Sequence, residues 1–473
     1  MTERAALVLD VGKTLSKLTL WSPRGQLLER RVRPNERVET DTGYRGLDAL
    51  GIEGWLAGAL GDCARIAEVG AIISVAHGAA AALLGEEGLL QAPLDYEQAI
   101  PDAVRQAYDA QREPFALTGS PALPNGLNLG AQLHYLETVQ GRRLTQSVSI
   151  VPWAQYWSWV LCGVASADLT NLGCHTDLWY PLSGTHSKLS IERGWAARMA
   201  PLTPSGAALG RLSPRWVERT GLEADVRVHC GLHDSNAALL AARAHPEIAG
   251  HDATVLSTGT WFVAMRTPST PPDIASLPAT RDCLVNVDAF GKPVPSARFM
   301  GGREIDILGA GQRVDASEHQ PGLLRSVASV LAGGTMALPT FTPGSGPYAE
   351  SPGRWIGTPG NEAERLAAVC LYAALVADES LELIGARDRL LVEGRFAQCE
   401  VFTRALAALR PRTAVYVAHS ESDASFGALR LLRPDISPPS SLTRVEPLHE
   451  DLREYRQRWR QQARQAHDPV RVA

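Results

Sequence analysis

Two short loops hold the residues that could do chemistry. In Gly231-Leu232-His233-Asp234-Ser235-Asn236 a carboxylate stands in a turn of small residues after a strand-like run at 225–229. In Leu256-Ser257-Thr258-Gly259-Thr260-Trp261 a Ser/Thr/Gly loop follows a second such run at 251–256. A carboxylate can take a proton from an alcohol, and a loop with exposed N–H and hydroxyl groups can cradle phosphate oxygens. Together they point to phosphoryl transfer from a nucleotide to a hydroxylated acceptor. Neither decides the matter alone. Asp234 could equally cap the helix opened by Ser235 and Asn236, and the second loop could be an ordinary turn.

A third candidate is Asp10-Val11-Gly12-Lys13-Thr14. A P-loop would need glycine where Leu7 stands and a helix where 17–21 alternates as a strand. The segment therefore reads as a hairpin turn. Either it binds phosphate, with Lys13 or Lys17 near the nucleotide and Asp10 placed to help hold magnesium, or glycine simply eases a tight turn. His77-Gly78 closes a strand-like run at 69–77, and Gly394 follows another at 389–393. Cys174-His175 has metal-ligand types but lacks the partners of a four-ligand site.

The elements that must position these residues alternate. Strands are expected at 5–10, 17–21, 27–32 and 69–77, and helices at 48–68, 102–111, 127–138 and 154–162. The aromatic residues of 154–162 are expected in the core rather than against a sugar. The C-terminal third reads helix 362–384, strand 389–393, helix 398–409, strand 413–417 and helix 424–432, a pattern of sheets with helical crossovers. A Pro/Ser hinge at 434–441 precedes a charged tail expected to be peripheral.

A chain of 473 residues implies two or three domains, and 45% hydrophobic with 21% charged residues fits a soluble globular protein. With a formal charge of −5 and no basic block before the tail, nucleic acid is not an expected partner. Apolar runs are too short for a membrane span, and no signal-peptide pattern opens the chain. Seven cysteines, an odd number with no CxxC pair, suit reduced thiols in a cytoplasm.

In their order, these motifs resemble the FGGY family of carbohydrate kinases, in the sugar kinase/actin/hexokinase superfamily, over residues 5–432. The family's D-x-G-x-[TS] loop is similar to Asp10 through Thr14, and its G-x-x-H-G strand end to Ser74-Val75-Ala76-His77-Gly78. Its aromatic region resembles 152–163, followed by Ala167-Asp168-Leu169-Thr170 and Asp177. Its G-x-x-D loop matches Gly231 through Asp234, its S-T-G-T signature 257–260, and its phosphate contact Gly301-Gly302. Two positions depart from the pattern. Lys13 replaces a small residue, as in a subgroup near rhamnulose and fuculose kinases, and the G-G-G adenosine motif reads Glu393-Gly394-Arg395.

The resemblance implies an α/β fold of two actin-like (ribonuclease H-like) domains, 1–245 and 246–432, with a central cleft and a tail at 433–473. It implies Mg·ATP on the second domain, against Thr258, Gly259, Thr260, Gly302, Gly394 and Gln398, with Gly12, Lys13, Thr14 and Lys17 also toward the phosphates and Asp10 toward Mg2+ through water. A small-molecule sugar would meet His77, Gly78, Gln132, Asp177 and Asp234, the last as general base. Ala76-His77-Gly78, where glycerol kinases typically carry an arginine-glutamate pair, favours a ketose over a polyol. An ATPase or sugar sensor is the alternative of another class, and a homodimer is the default assembly for a soluble enzyme.

Overall fold

The computed structural model describes residues 4–141, 149–418 and 424–467. The chain divides into two units, Met1–Ala244 with Val285–Pro293 and Asp423–Pro439, and His245–Leu284 with Val294–Ser422 and Ser440–Ala473.

In the first unit, β1 (Ala5–Val11), β2 (Leu15–Trp21) and β3 (Leu27–Pro34) form an antiparallel meander. With β4 (Val69–Ala76), β5 (Ala208–Arg211) and β6 (Arg227–His233) they make one sheet in the order β5-β6-β4-β1-β2-β3. β1 is parallel to β4, and β4 to β6. Every residue of β1 is buried, as expected of a central strand covered on both faces. The helices α1 (Ala49–Ala64) and α2 (Trp153–Cys162) belong to the same unit, as does α3 (Asp234–Ala242), which continues directly from β6. Trp153, Tyr156 and Trp157 of α2 are buried and pack ring against ring, so this aromatic helix is core.

The second unit repeats the path. Its sheet holds β7 (Ala253–Thr258), β8 (Phe262–Thr267), β9 (Cys283–Val287), β10 (Pro293–Phe299), β11 (Arg389–Gly394), β12 (Ala414–Ala418) and β13 (Leu442–Arg444), in the order β9-β10-β8-β7-β11-β12-β13. β7 is antiparallel to β8 and β8 to β10, while β7, β11 and β12 run parallel. The senses of β7, β8, β10, β11 and β12 thus match those of β1, β2, β3, β4 and β6. α4 (Gly301–Gly309), α5 (Glu362–Leu383) and α6 (Glu400–Leu409) accompany this sheet.

Two parts of the C-terminal third differ from the sequence expectation. α7 (Ala424–Leu432), expected in the second domain, groups with the first unit. Its Phe426, Ala428 and Leu429 join a buried cluster with Trp21, Ile73, Ala237 and Ala241. Gly427 makes this possible, because a Cβ there would lie 1.7 Å from the Ala237 carbonyl oxygen. The tail is not peripheral. α8 (Arg453–His467) buries Tyr455, Trp459 and Ala463 in the second unit, and Arg456 and Arg460 meet the fully buried Asp378, which Arg410 also binds. The last residues of the expected tail, 468–473, lie outside the described residues. Among the described residues no helix is long and apolar enough to cross a membrane.

Candidate active site

β1, β4 and β6 end in one row. Val11 pairs with Ala76, Ala76 pairs with His233, and the His77 N–H donates to the Val11 carbonyl at 3.2 Å. Asp10, His77 and Asp234 therefore share the edge where parallel sheets place their ligands. β6 reaches that edge through a bulge between His229 and Leu232, and Gly231 is required there because a Cβ would lie 2.2 Å from the Ser74 carbonyl oxygen.

Asp234 opens α3 with its side chain 34% exposed. Its Oδ1 accepts from the Ser235 N–H at 2.6 Å and the Ser235 hydroxyl at 3.2 Å, and lies 3.2 Å from His233 Nε2. All these contacts fall on Oδ1, and among the described residues none is made by Oδ2. The turn is fixed from below: the His233 N–H donates to Thr170 Oγ1 at 2.8 Å, and that hydroxyl donates to Asp168 at 2.5 Å.

His77 is buried, with Nδ1 2.7 Å from the Gly78 carbonyl. A carbonyl can only accept, so Nδ1 carries the hydrogen and Nε2 the lone pair. Burial holds the imidazole below its ordinary proton affinity, against the pull of Gly78 and Asp234. Its Nε2 is a buried acceptor with no partner among the described residues. The ring meets Tyr96 edge-on at 5.4 Å. Burial, then the charges of Glu97 and Asp234, push the Tyr96 phenol up to about 12, so it stays neutral.

His233 Nε2 lies 3.2 Å from Asp234 Oδ1 and 3.7 Å from Cys174 Sγ. Burial opposes a charge on either the thiol or the imidazole, yet His175 and His233 draw the Cys174 thiol down to about 5. Cys174 and Asp234 hold His233 up at about 9. With His233 beside the carboxylate, the surroundings thus favour a charged thiolate and imidazolium at this pair. Gly78 leaves room for it, since a Cβ would stand 2.9 Å from His233 Nε2 and 3.2 Å from Cys174 Sγ.

Three residues expected at the ligands are engaged within the protein. Asp177, expected on the sugar, is buried, and its two oxygens are taken by Arg112 at 2.9 Å each and by the Tyr108 hydroxyl at 2.6 Å. Gln132 donates to the Ala79 and Gly126 carbonyls at 2.6 and 2.5 Å, which makes its amide nitrogen a brace. Lys13, expected toward phosphate, instead forms an ion pair with Asp95 and lies 4.4 Å over the Tyr96 ring. The hairpin itself is as expected: Gly12 N–H bonds the Leu15 carbonyl at 3.0 Å, and Asn35 secures the Gly12 and Thr14 carbonyls. Lys17 Nζ lies 3.3 Å from Asp10.

In the second unit two glycines bring three backbone segments together. A Cβ on Gly302 would lie 2.0 Å from the Gly259 carbonyl oxygen, and one on Gly394 2.3 Å from that of Thr258. The amino end of α4 is thereby packed against the Ser257–Thr260 loop, a backbone arrangement suited to phosphate. The Thr258 hydroxyl donates to the Glu393 carbonyl at 2.5 Å and accepts from the Phe396 N–H at 3.0 Å. It therefore ties β7 to the loop after β11 rather than offering itself to a ligand, while Thr260 is exposed. Arg395, at a glycine position of the motif, pairs with Asp306 and Asp315 at 3.2 Å each. Gln398 is exposed and lines an open groove of about 600 Å³ with Ser317, Gln320, Glu400 and Arg404.

A model of the FGGY carbohydrate kinase C-terminal domain matches residues 250–439. Among solved structures, a carbohydrate kinase from Novosphingobium aromaticivorans is 52% identical, with a TM-score of 0.95 over 98% of this chain and 100% of that one. Ligand-bound xylulose kinase from Lactobacillus acidophilus shares the fold at 14% identity, TM-score 0.79, over 99% of both chains. Plasmodium falciparum glycerol kinase with ADP does so at 12% identity, TM-score 0.78, over 99% of this chain and 98% of that one. A comparison with curated proteins gives no match. These likenesses define the class, a carbohydrate kinase with two actin-like domains. Within that class, the chain belongs to the FGGY family.

Proposed function

We propose that this kinase phosphorylates a ketose, with ATP as donor and Asp234 as general base. The observation that supports this reading is that two acceptors without partners among the described residues, Asp234 Oδ2 and His77 Nε2, stand at the ends of β6 and β4. The neutral His77 accepts from one sugar hydroxyl while Oδ2 accepts from the reacting one. As the hydroxyl oxygen bonds to the γ-phosphorus, the bond from that phosphorus to the β–γ bridging oxygen breaks and ADP leaves. The hydroxyl proton passes to Oδ2. The glycine-spaced backbone at Gly259, Gly302 and Gly394 holds the phosphates, and Gln398 borders the base and ribose.

Magnesium is commonly held by one or two carboxylates together with phosphates and water, and it neutralises phosphate charge. Among the described residues no three His, Cys, Asp or Glu side chains gather into a cage. Asp10 on the same edge fits a metal that arrives with the nucleotide and is reached through water. Residues Ala76-His77-Gly78 favour a ketose over a polyol, and the seven free cysteines suit a reducing cytoplasm.

A coupled ADP-release assay with Mg·ATP tests this across L-fuculose, L-rhamnulose, D-xylulose, D-ribulose, aldoses and polyols. Turnover on one ketose, lost in Asp234→Asn, supports the assignment. Preference for glycerol or another polyol replaces the ketose, and ADP release that no sugar stimulates replaces the kinase by an ATPase.

A further inference from the structure

We propose that Lys13 serves the sugar rather than the nucleotide, as a positioning residue that clamps the loop presenting Tyr96 beside His77. The inference rests on the reading of His77 and Asp234 as the acceptor side. The Lys13 ammonium reaches from the hairpin turn to a single loop. It pairs with Asp95, lies 3.8 Å from Glu97 and stands over Tyr96.

That loop is stiff. Asp95 is fully buried, also faces Arg37 at 3.2 Å, and accepts from the Glu97 N–H at 2.9 Å. Its own N–H donates to the Arg45 carbonyl at 3.0 Å. On the other flank the Tyr96 carbonyl accepts from the Gly126 N–H at 2.9 Å, and Gln132 holds the Gly126 carbonyl. Lys13 and Gln132 therefore brace Tyr96 from two directions.

What Tyr96 is braced against points to a ligand. The half-buried ring stands nearly perpendicular to His77, whose buried Nε2 has no partner among the described residues, and it senses the Asp234 charge. An aromatic surface beside an unused acceptor and a carboxylate suits a neutral polyhydroxylated ligand, with C–H groups on the ring and hydroxyls on the polar atoms. A lysine can clamp this loop from a distance because its charge sits on a long, flexible stem.

Steady-state kinetics of Lys13→Met and Lys13→Arg test the proposal on whichever ketose of the panel turns over. The Michaelis constant for the ketose should rise about tenfold in Lys13→Met, with that for ATP within about twofold, and Lys13→Arg should recover part of the loss. Adding Asp95→Asn to Lys13→Met should cost little more than the single change, since the two residues act as one clamp. A rise in the ATP constant alone, or no change in either, overturns the proposal, as does full additivity. Should the wild type phosphorylate no sugar, the functional reading falls separately, and a crystal structure of Lys13→Met then decides the clamp. Tyr96 displaced from His77 supports it, and Tyr96 in place overturns it.

Discussion

Among the described residues Asp234 is held through Oδ1 alone, which leaves its other oxygen oriented for a ligand. Asp234→Asn should lower turnover by about 10²–10⁴-fold, the usual worth of a general base, while calorimetry finds ATP affinity little changed. The lowered Cys174 thiol and raised His233 imidazole beside it should give a spectroscopic signature. Acidification through about 5 protonates Cys174, so the ultraviolet thiolate absorbance should fall there, whereas His233 keeps its proton up to about 9. Cys174→Ser should abolish that step. His233→Asn removes one of the charges that offset burial, so the step should move to higher pH. At this scale the sequence shows which residues can react but not which are already engaged. Asp234 and His77 stand in local motifs. The partners of Asp177, Lys13 and His233 come from Arg112, Asp95 and Cys174, distant in the chain and joined only by the fold.

Strands and helices were mostly legible, because alternating apolar runs and turn residues are local signals. Their allegiance was not, since which surface a helix covers depends on remote partners. Gly394 shows how an element carries function through shape. Its φ of +87° and its approach to Thr258 belong to glycine. Gly394→Ala should cost roughly 1–3 kcal/mol from backbone strain alone, read by urea unfolding, and should weaken ATP binding more than sugar binding. The α8 helix makes a purely structural test. Trp459 is fully buried and donates to the Ala337 carbonyl at 2.8 Å. Trp459→Ala should destabilise by about 3–5 kcal/mol, measured by denaturant titration, although sequence alone marks the tail as charged and peripheral.

The two units share one strand plan, which the sequence betrays only faintly in the likeness of Asp10–Thr14 to Ser257–Thr260. Their segments are interleaved. The backbone passes from one unit to the other after residues 244, 284, 293, 422 and 439. The first unit thus receives α7 only after most of the second has been synthesised, although Trp21 and Ala237 need Phe426 and Leu429 as neighbours. Exchanging Phe426 for Ala should therefore destabilise the sheet that bears Asp234, seen as faster hydrogen exchange in β1 and β4. The same interleaving bears on inheritance. A single recombination point between two related genes would leave at least one unit with segments from both parents. Neither unit can therefore be exchanged whole between related genes by one such event.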